Sequence, residues 1–101
     1  MTDLITSKLF DVFGKNILIT GAAGTLGTQY ANTLSAAGAN VILLDVEKEK
    51  GIKLAQTLVK KYKTDASSYF VDITQEDQVS KIKNQIVSEY KRIDGLVNKS
   101  E

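Results

Sequence analysis

Asn16-Ile17-Leu18-Ile19-Thr20-Gly21-Ala22-Ala23-Gly24-Thr25-Leu26-Gly27 is the stretch that decides the fold. Its first five residues are almost continuously apolar and rich in β-branched side chains, as suits a short strand buried on both faces. Three glycines follow at regular intervals, and Gly21 lets the chain turn sharply out of the strand. Beyond them, residues 25–37 place Leu26, Tyr30, Ala31, Leu34 and Ala37 on one side of a helix that stops at Gly38, a residue suited to a left-handed cap. The stretch reads strand, tight turn, helix.

Three more apolar runs lie downstream: residues 40–45 (Asn-Val-Ile-Leu-Leu-Asp), 68–72 (Ser-Tyr-Phe-Val-Asp) and 93–98 (Ile-Asp-Gly-Leu-Val-Asn). Helical spacing fills the gaps. Residues 47–62 set Ile52, Ala55, Leu58, Val59 and Tyr62 inward and leave Lys48, Lys50, Lys53, Lys60 and Lys61 largely outward. Gly51 weakens that helix by about 1 kcal/mol relative to Ala without changing the reading. Residues 75–90 form a third helix, with Thr74 expected as N-cap, Glu76 and Asp77 in the first turn, and Lys91 and Arg92 after the last. Val79, Ile82, Ile86 and Tyr90 make its buried stripe.

The order β-α-β-α-β-α-β, with right-handed crossovers, predicts an α/β fold: a doubly wound parallel sheet in three α/β/α layers with strand order 3-2-1-4. In that order strands one and four are neighbours whose connections leave in opposite directions. A crevice opens there at the carboxyl ends of the strands, and a ligand is expected in it.

Composition narrows the function. The chain has 101 residues, 13 Lys or Arg against 12 Asp or Glu, a formal charge of +1, and 43% hydrophobic residues. One module of one domain is the expectation. With no Cys and no His, the sequence builds no Cys/His zinc site, thiolate nucleophile, disulfide or His-based triad. The balanced charge argues against a nucleic-acid footprint, and Lys60, Lys61 and Lys63 read as a solvated helix end. No apolar stretch approaches the roughly 20 residues of a membrane span, and residues 1–10 lack the pattern of a signal peptide, so no membrane partner and a cytoplasmic location are expected.

The turn after the first strand carries the chemistry. Gly24 lets a pyrophosphate approach the backbone, Gly27 lets the helix pack close to the sheet, and the helix-start amides with the positive dipole end hold phosphates. A tight turn with no ligand would also account for the glycines. Asp45 ends the second run, where a carboxylate accepts hydrogen bonds from both hydroxyls of an adenosine ribose. A 2′-phosphate would meet a like charge there, which favours NAD over NADP. No Arg or Lys stands at Ala22, Ala23 or Val46 to offset that repulsion, although Lys48 or Lys50 would soften it. Asp45 also suits an N-cap for the second helix, and the two roles are compatible. Asp72, expected to end the third strand, can accept a bond from an adenine amino group with Ile73 packed on the ring, or can serve as a turn residue. Asn98 is expected to end the fourth strand on the same edge.

Together these residues resemble the short-chain dehydrogenase/reductase family, over most of the chain from about Phe10 to Asn98. The resemblance implies a Rossmann-type fold that is incomplete here, the N-terminal NAD(P)-binding part (residues 1–101) of a single domain. It implies that Gly21, Gly24, Thr25, Leu26 and Gly27 form the phosphate loop, that Asp45 holds the ribose, that Asp72 and Ile73 clamp the adenine, and that Asn98 opens the family's Asn-Asn-Ala-Gly motif. It also implies hydride transfer between a nicotinamide and an alcohol or carbonyl in a full-length parent, which would be a homo-oligomer.

The chain departs from the family in two places. Thr25 stands where the commoner subgroup has Gly, a spacing that also fits the extended subgroup. Lys99, Ser100 and Glu101 replace the rest of the Asn-Asn-Ala-Gly motif. The family's catalytic Ser and its Tyr-x-x-x-Lys pair are missing, since Tyr30, Tyr62, Tyr69 and Tyr90 are followed four residues later by Leu34, Ala66, Ile73 and Asp94. The four Tyr are expected as partly buried helix or strand residues. Three readings stay open: the cofactor-binding part of an NAD-dependent oxidoreductase, a non-catalytic dinucleotide-binding or regulatory module, and an inactive truncated fragment. For the isolated chain, the open edge of the fourth strand predicts self-association or low stability.

Overall fold

The computed structural model describes residues 12–21, 24–45, 47–72 and 74–97. Its elements follow the chain as β1 (Asn16–Thr20), α1 (Thr25–Ala36), β2 (Asn40–Asp45), α2 (Lys48–Tyr62), β3 (Ala66–Phe70), α3 (Glu76–Tyr90) and β4 (Gly95–Val97). The strands form one parallel sheet in the order β3-β2-β1-β4. This is the predicted order. β1 and β2 are buried along nearly their whole length, which explains why their side chains are apolar at consecutive rather than alternate positions.

Alternate residues of these strands feed two cores. Ile17, Ile19, Val41 and Leu43 pack with Ala31 of α1 and with Ala55 and Leu58 of α2 on one face. Leu18, Ile42 and Leu44 pack with Val71 and with Ile86 of α3 on the other. The helices thus lie on both faces, as right-handed crossovers running outward to β3 and then back to β4 require.

The structure corrects several expectations about the helices. Leu26 and Tyr30 are 46% and 42% exposed. Gly27, Ala31 and Ser35 make the buried face of α1 instead, because small residues let the helix axis approach the sheet closely. Ala37 lies beyond α1 as its C-cap, and Gly38 follows with φ +94°, the left-handed residue the sequence suggested. Ile52 and Val59 of α2 are likewise exposed, the inward positions being Gly51, Ala55 and Leu58.

The third strand lies two residues earlier than its apolar run suggested, at Ala66–Phe70. Asp72 therefore does not end it. The two serines fit because Gly51 brings α2 so close that a Cβ on it would stand 2.4 Å from Ser68 Oγ, while the Ser67 and Tyr90 hydroxyls share a 2.5 Å hydrogen bond. Tyr69 donates to Glu89, and burial, reinforced by that carboxylate, pushes its phenol well above the ordinary range. Tyr62 donates to Asn32 Oδ1 at 2.8 Å. Of the four tyrosines only Tyr30 departs from the partly buried expectation.

Thr74 is not the N-cap of α3. That position belongs to Gln75, without a side-chain bond. β4 is shorter than expected, since Ile93 and Asp94 precede it; Asp94 is held instead by the Asn16 main chain.

Candidate functional site

The parallel register brings three loops to one edge of the sheet. Thr20 pairs with Leu44, so Gly21 and Asp45 leave their neighbouring strands at the same level, about 4.8 Å apart in an ideal sheet. Asp45 pairs with Phe70, and the Val71 N–H donates to the Asp45 carbonyl at 3.0 Å. Asp72 follows directly. Gly21, Asp45 and Asp72 thus share the carboxyl-end edge where α/β sheets bind ligands.

Gly21 has φ +63°, a left-handed conformation that favours glycine. Its carbonyl accepts the Gly24 N–H at 3.2 Å and closes the turn. Gly24 differs from it. Its φ of −75° suits any residue, and a Cβ there would stand 3.5 Å from the Gly21 carbonyl oxygen, an ordinary contact. Neither conformation nor the described protein atoms demand glycine at position 24.

Gly24 is the N-cap of α1 and carries no side chain to satisfy the helix-start amides. Those of Thr25, Leu26 and Gly27 have no partner within the helix by geometry. No acidic side chain stands in the first turn of α1, whereas α2 has Glu49 there and α3 has Glu76 and Asp77. Among the described residues the positive end of α1 is thus not offset by an acid in its own first turn. Leu26 is exposed beside it, and Gly27 faces the sheet.

Asp45 is only 9% exposed, and its Oδ1 accepts the Glu47 N–H at 2.8 Å. Asp45 is therefore not the N-cap of α2: Glu47 holds that position, without a side-chain cap bond, and Asp45 lies two residues ahead of it, binding its amide. Glu47 in turn meets Lys50, Oε1 to Nζ, at 3.4 Å. The Asp-x-Glu spacing was the available signal for this arrangement.

Asp72 shows the turn behaviour that its sequence allowed. Its Oδ1 accepts the Thr74 hydroxyl at 2.6 Å and the Thr74 N–H at 3.0 Å. Those bonds, the hydroxyl's first, hold its carboxyl below the usual carboxylate range. Ile73 and Asn98 lie outside the described residues, as do Ala22, Ala23 and Val46. The Thr20 hydroxyl reaches the Val97 carbonyl at 3.5 Å, tying the last described residue of β4 to the end of β1.

Among the described residues no group of three or more His, Cys, Asp or Glu is placed to hold a metal, and no helix is long and apolar enough to cross a membrane.

Comparison with known proteins places this architecture. Residues 15–100 match the family model described as short chain dehydrogenase. An uncharacterized oxidoreductase of Bacillus subtilis, YxjF, is 40% identical over 81 residues, covering 80% of this chain and 31% of the relative. A NAD+-bound xylitol dehydrogenase superposes with a TM-score of 0.80 at 32% identity, over 84% of this chain and 32% of that one. A metagenomic short-chain oxidoreductase in complex with NADP gives a TM-score of 0.83 at 26% identity, over 89% of this chain and 40% of that one. The chain spans about a third of the length of the curated relatives it matches.

Proposed function

The chain belongs to the short-chain dehydrogenase family, and on that premise we propose that it is the NAD-binding portion of an oxidoreductase that interconverts an alcohol and a carbonyl. One observation supports this most: a glycine-capped, acid-free helix start at the same sheet edge as a nearly buried aspartate. Phosphate recognition and ribose recognition need these two features side by side.

The residues present fit a dinucleotide. The amides of Thr25, Leu26 and Gly27 would hold the diphosphate, with Gly24 leaving room for it. Asp45 would accept from the adenosine ribose hydroxyls while it keeps Glu47 in place. Asp72, pinned by Thr74, and Ile73 would border the adenine, and Asn98 would support the adjoining strand end. When bound, the nicotinamide supplies the hydride acceptor or donor. The chain's own sequence offers no Tyr-x-x-x-Lys pair for the accompanying proton, so its part is to bind and orient.

Asp45 favours NAD over NADP, because a 2′-phosphate would bring two further negative charges to a carboxylate already shielded from water. Calorimetric titration of the chain with each nucleotide tests this. NAD is expected to bind more tightly, and Asp45→Ala to narrow the difference; equal affinities in the unmodified chain would contradict the proposal.

A further inference from the structure

The segment that follows Asp45 contains two ammonium groups, Lys48 and Lys50, either of which would attract a 2′-phosphate. The structure bears on Lys50 directly. The Asp45 carboxylate fixes the Glu47 main chain through the 2.8 Å bond to its N–H. The Glu47 carbonyl accepts the Gly51 N–H at 3.0 Å, so α2 begins at a set distance from Asp45. Across that first turn the Glu47 carboxylate meets the Lys50 ammonium at 3.4 Å.

We propose that Glu47 is a specificity-determining residue that acts with Asp45, binding the Lys50 ammonium and so withholding it from a 2′-phosphate. The inference rests on the dinucleotide reading given above. In it Asp45 repels the phosphate directly and Glu47 engages one of the two cations that follow Asp45 in the chain. Glu47 adds a second negative charge of its own to the same edge.

A plainer role exists for Glu47, since an acidic residue at a helix start complements the macrodipole. That role affects folding and is indifferent to whether the ribose carries a phosphate. The ratio of NADP to NAD dissociation constants therefore separates the two, because changes common to both nucleotides cancel in it.

The experiment measures that ratio by calorimetry for the unmodified chain, Glu47→Gln, Lys50→Gln and the double variant. Glu47→Gln is expected to lower the ratio about three- to tenfold, the range for an exposed ion pair and one nearby charge. Lys50→Gln alone is expected to change it less than about twofold, since that ammonium is already engaged. In the double variant part of the gain is lost, because the released Lys50 was responsible for it. A ratio unmoved by Glu47→Gln, or a gain fully kept in the double variant, overturns the proposal while NAD binding stands. Failure of the unmodified chain to bind either nucleotide overturns the dinucleotide reading, and this inference with it.

Discussion

Asn16 and Asp94 grip each other across 78 positions of sequence. The Asn16 N–H donates to Asp94 Oδ2 at 2.8 Å, and the Asp94 N–H donates to the Asn16 carbonyl at 2.8 Å. Arg92 donates to the other carboxylate oxygen, Oδ1, through Nε at 2.6 Å. The Asn16 side chain adds bonds to the Arg92 and Tyr90 carbonyls at 3.0 and 3.4 Å, and Asn40 Nδ2 reaches Asn16 Oδ1 at 3.2 Å. This cluster fixes the entry of β4 beside β1 at the end of the sheet opposite the candidate site. It thereby sets the register that brings Val97 beside Ile19.

Acid is expected to loosen this clamp. The Asn16 N–H, ahead of the Arg92 contact, holds the Asp94 carboxyl below the usual carboxylate range. A group whose folded pKa is depressed contributes stability above its unfolded pKa and loses it as pH falls through the folded value. Asp94 should therefore steepen the loss of stability below about pH 4, the ordinary Asp value. Denaturant unfolding of Asp94→Asn across that range should be flatter than that of the unmodified chain. Parallel curves would contradict the assignment.

Two glycines are expected to respond oppositely to a methyl group. Gly38 has φ +94°, and a Cβ there would lie 2.4 Å from the Phe13 ring, so Gly38→Ala should destabilise by about 1–2 kcal/mol. At Gly51 the 2.4 Å contact is with the Ser68 hydroxyl, and Ser68 Cβ stays 3.5 Å away. Rotation of that hydroxyl admits the methyl, and Ala is the better helix former by about 1 kcal/mol. Thermal unfolding should show Gly51→Ala as stable as the unmodified chain or more so, with Gly51→Leu clearly lower.

The sequence made the sheet order legible because both central strands are buried along nearly their whole length and carry continuous apolar runs. β3 was harder to place. As an edge strand it begins at Ala66 and Ser67, ahead of the apolar run, and stops short of Val71 and Asp72, and the close approach of Gly51 to Ser68 that fits the serines is a tertiary fact. Leu26, Tyr30, Ile52 and Val59 misled in the same way: helical periodicity identifies an apolar stripe, and it does not say which edge of the stripe the sheet covers. At the candidate site the glycine turn and Asp45 were readable from spacing. The Glu47–Lys50 contact and the hold of Asp72 on Thr74 needed coordinates.

Self-association is expected through β4. Among the described residues β4 pairs with β1 alone, leaving its outer edge open. Leu96 is 60% exposed, and Val87, also on the outside of the fold, 45%. An open edge beside apolar side chains favours pairing with another strand. Sedimentation velocity should show an average mass that rises with concentration, and Leu96→Lys should suppress the rise. A monomer at every concentration would contradict this expectation.

Amide chemical-shift mapping during a titration of the 15N-labelled chain with NAD addresses the dinucleotide site itself. The largest changes should fall on Gly21, Gly24, Thr25, Leu26, Gly27 and Asp45, and should saturate together with one dissociation constant. A saturable response centred on other residues, or no response at all, would contradict a diphosphate cradle at the start of α1.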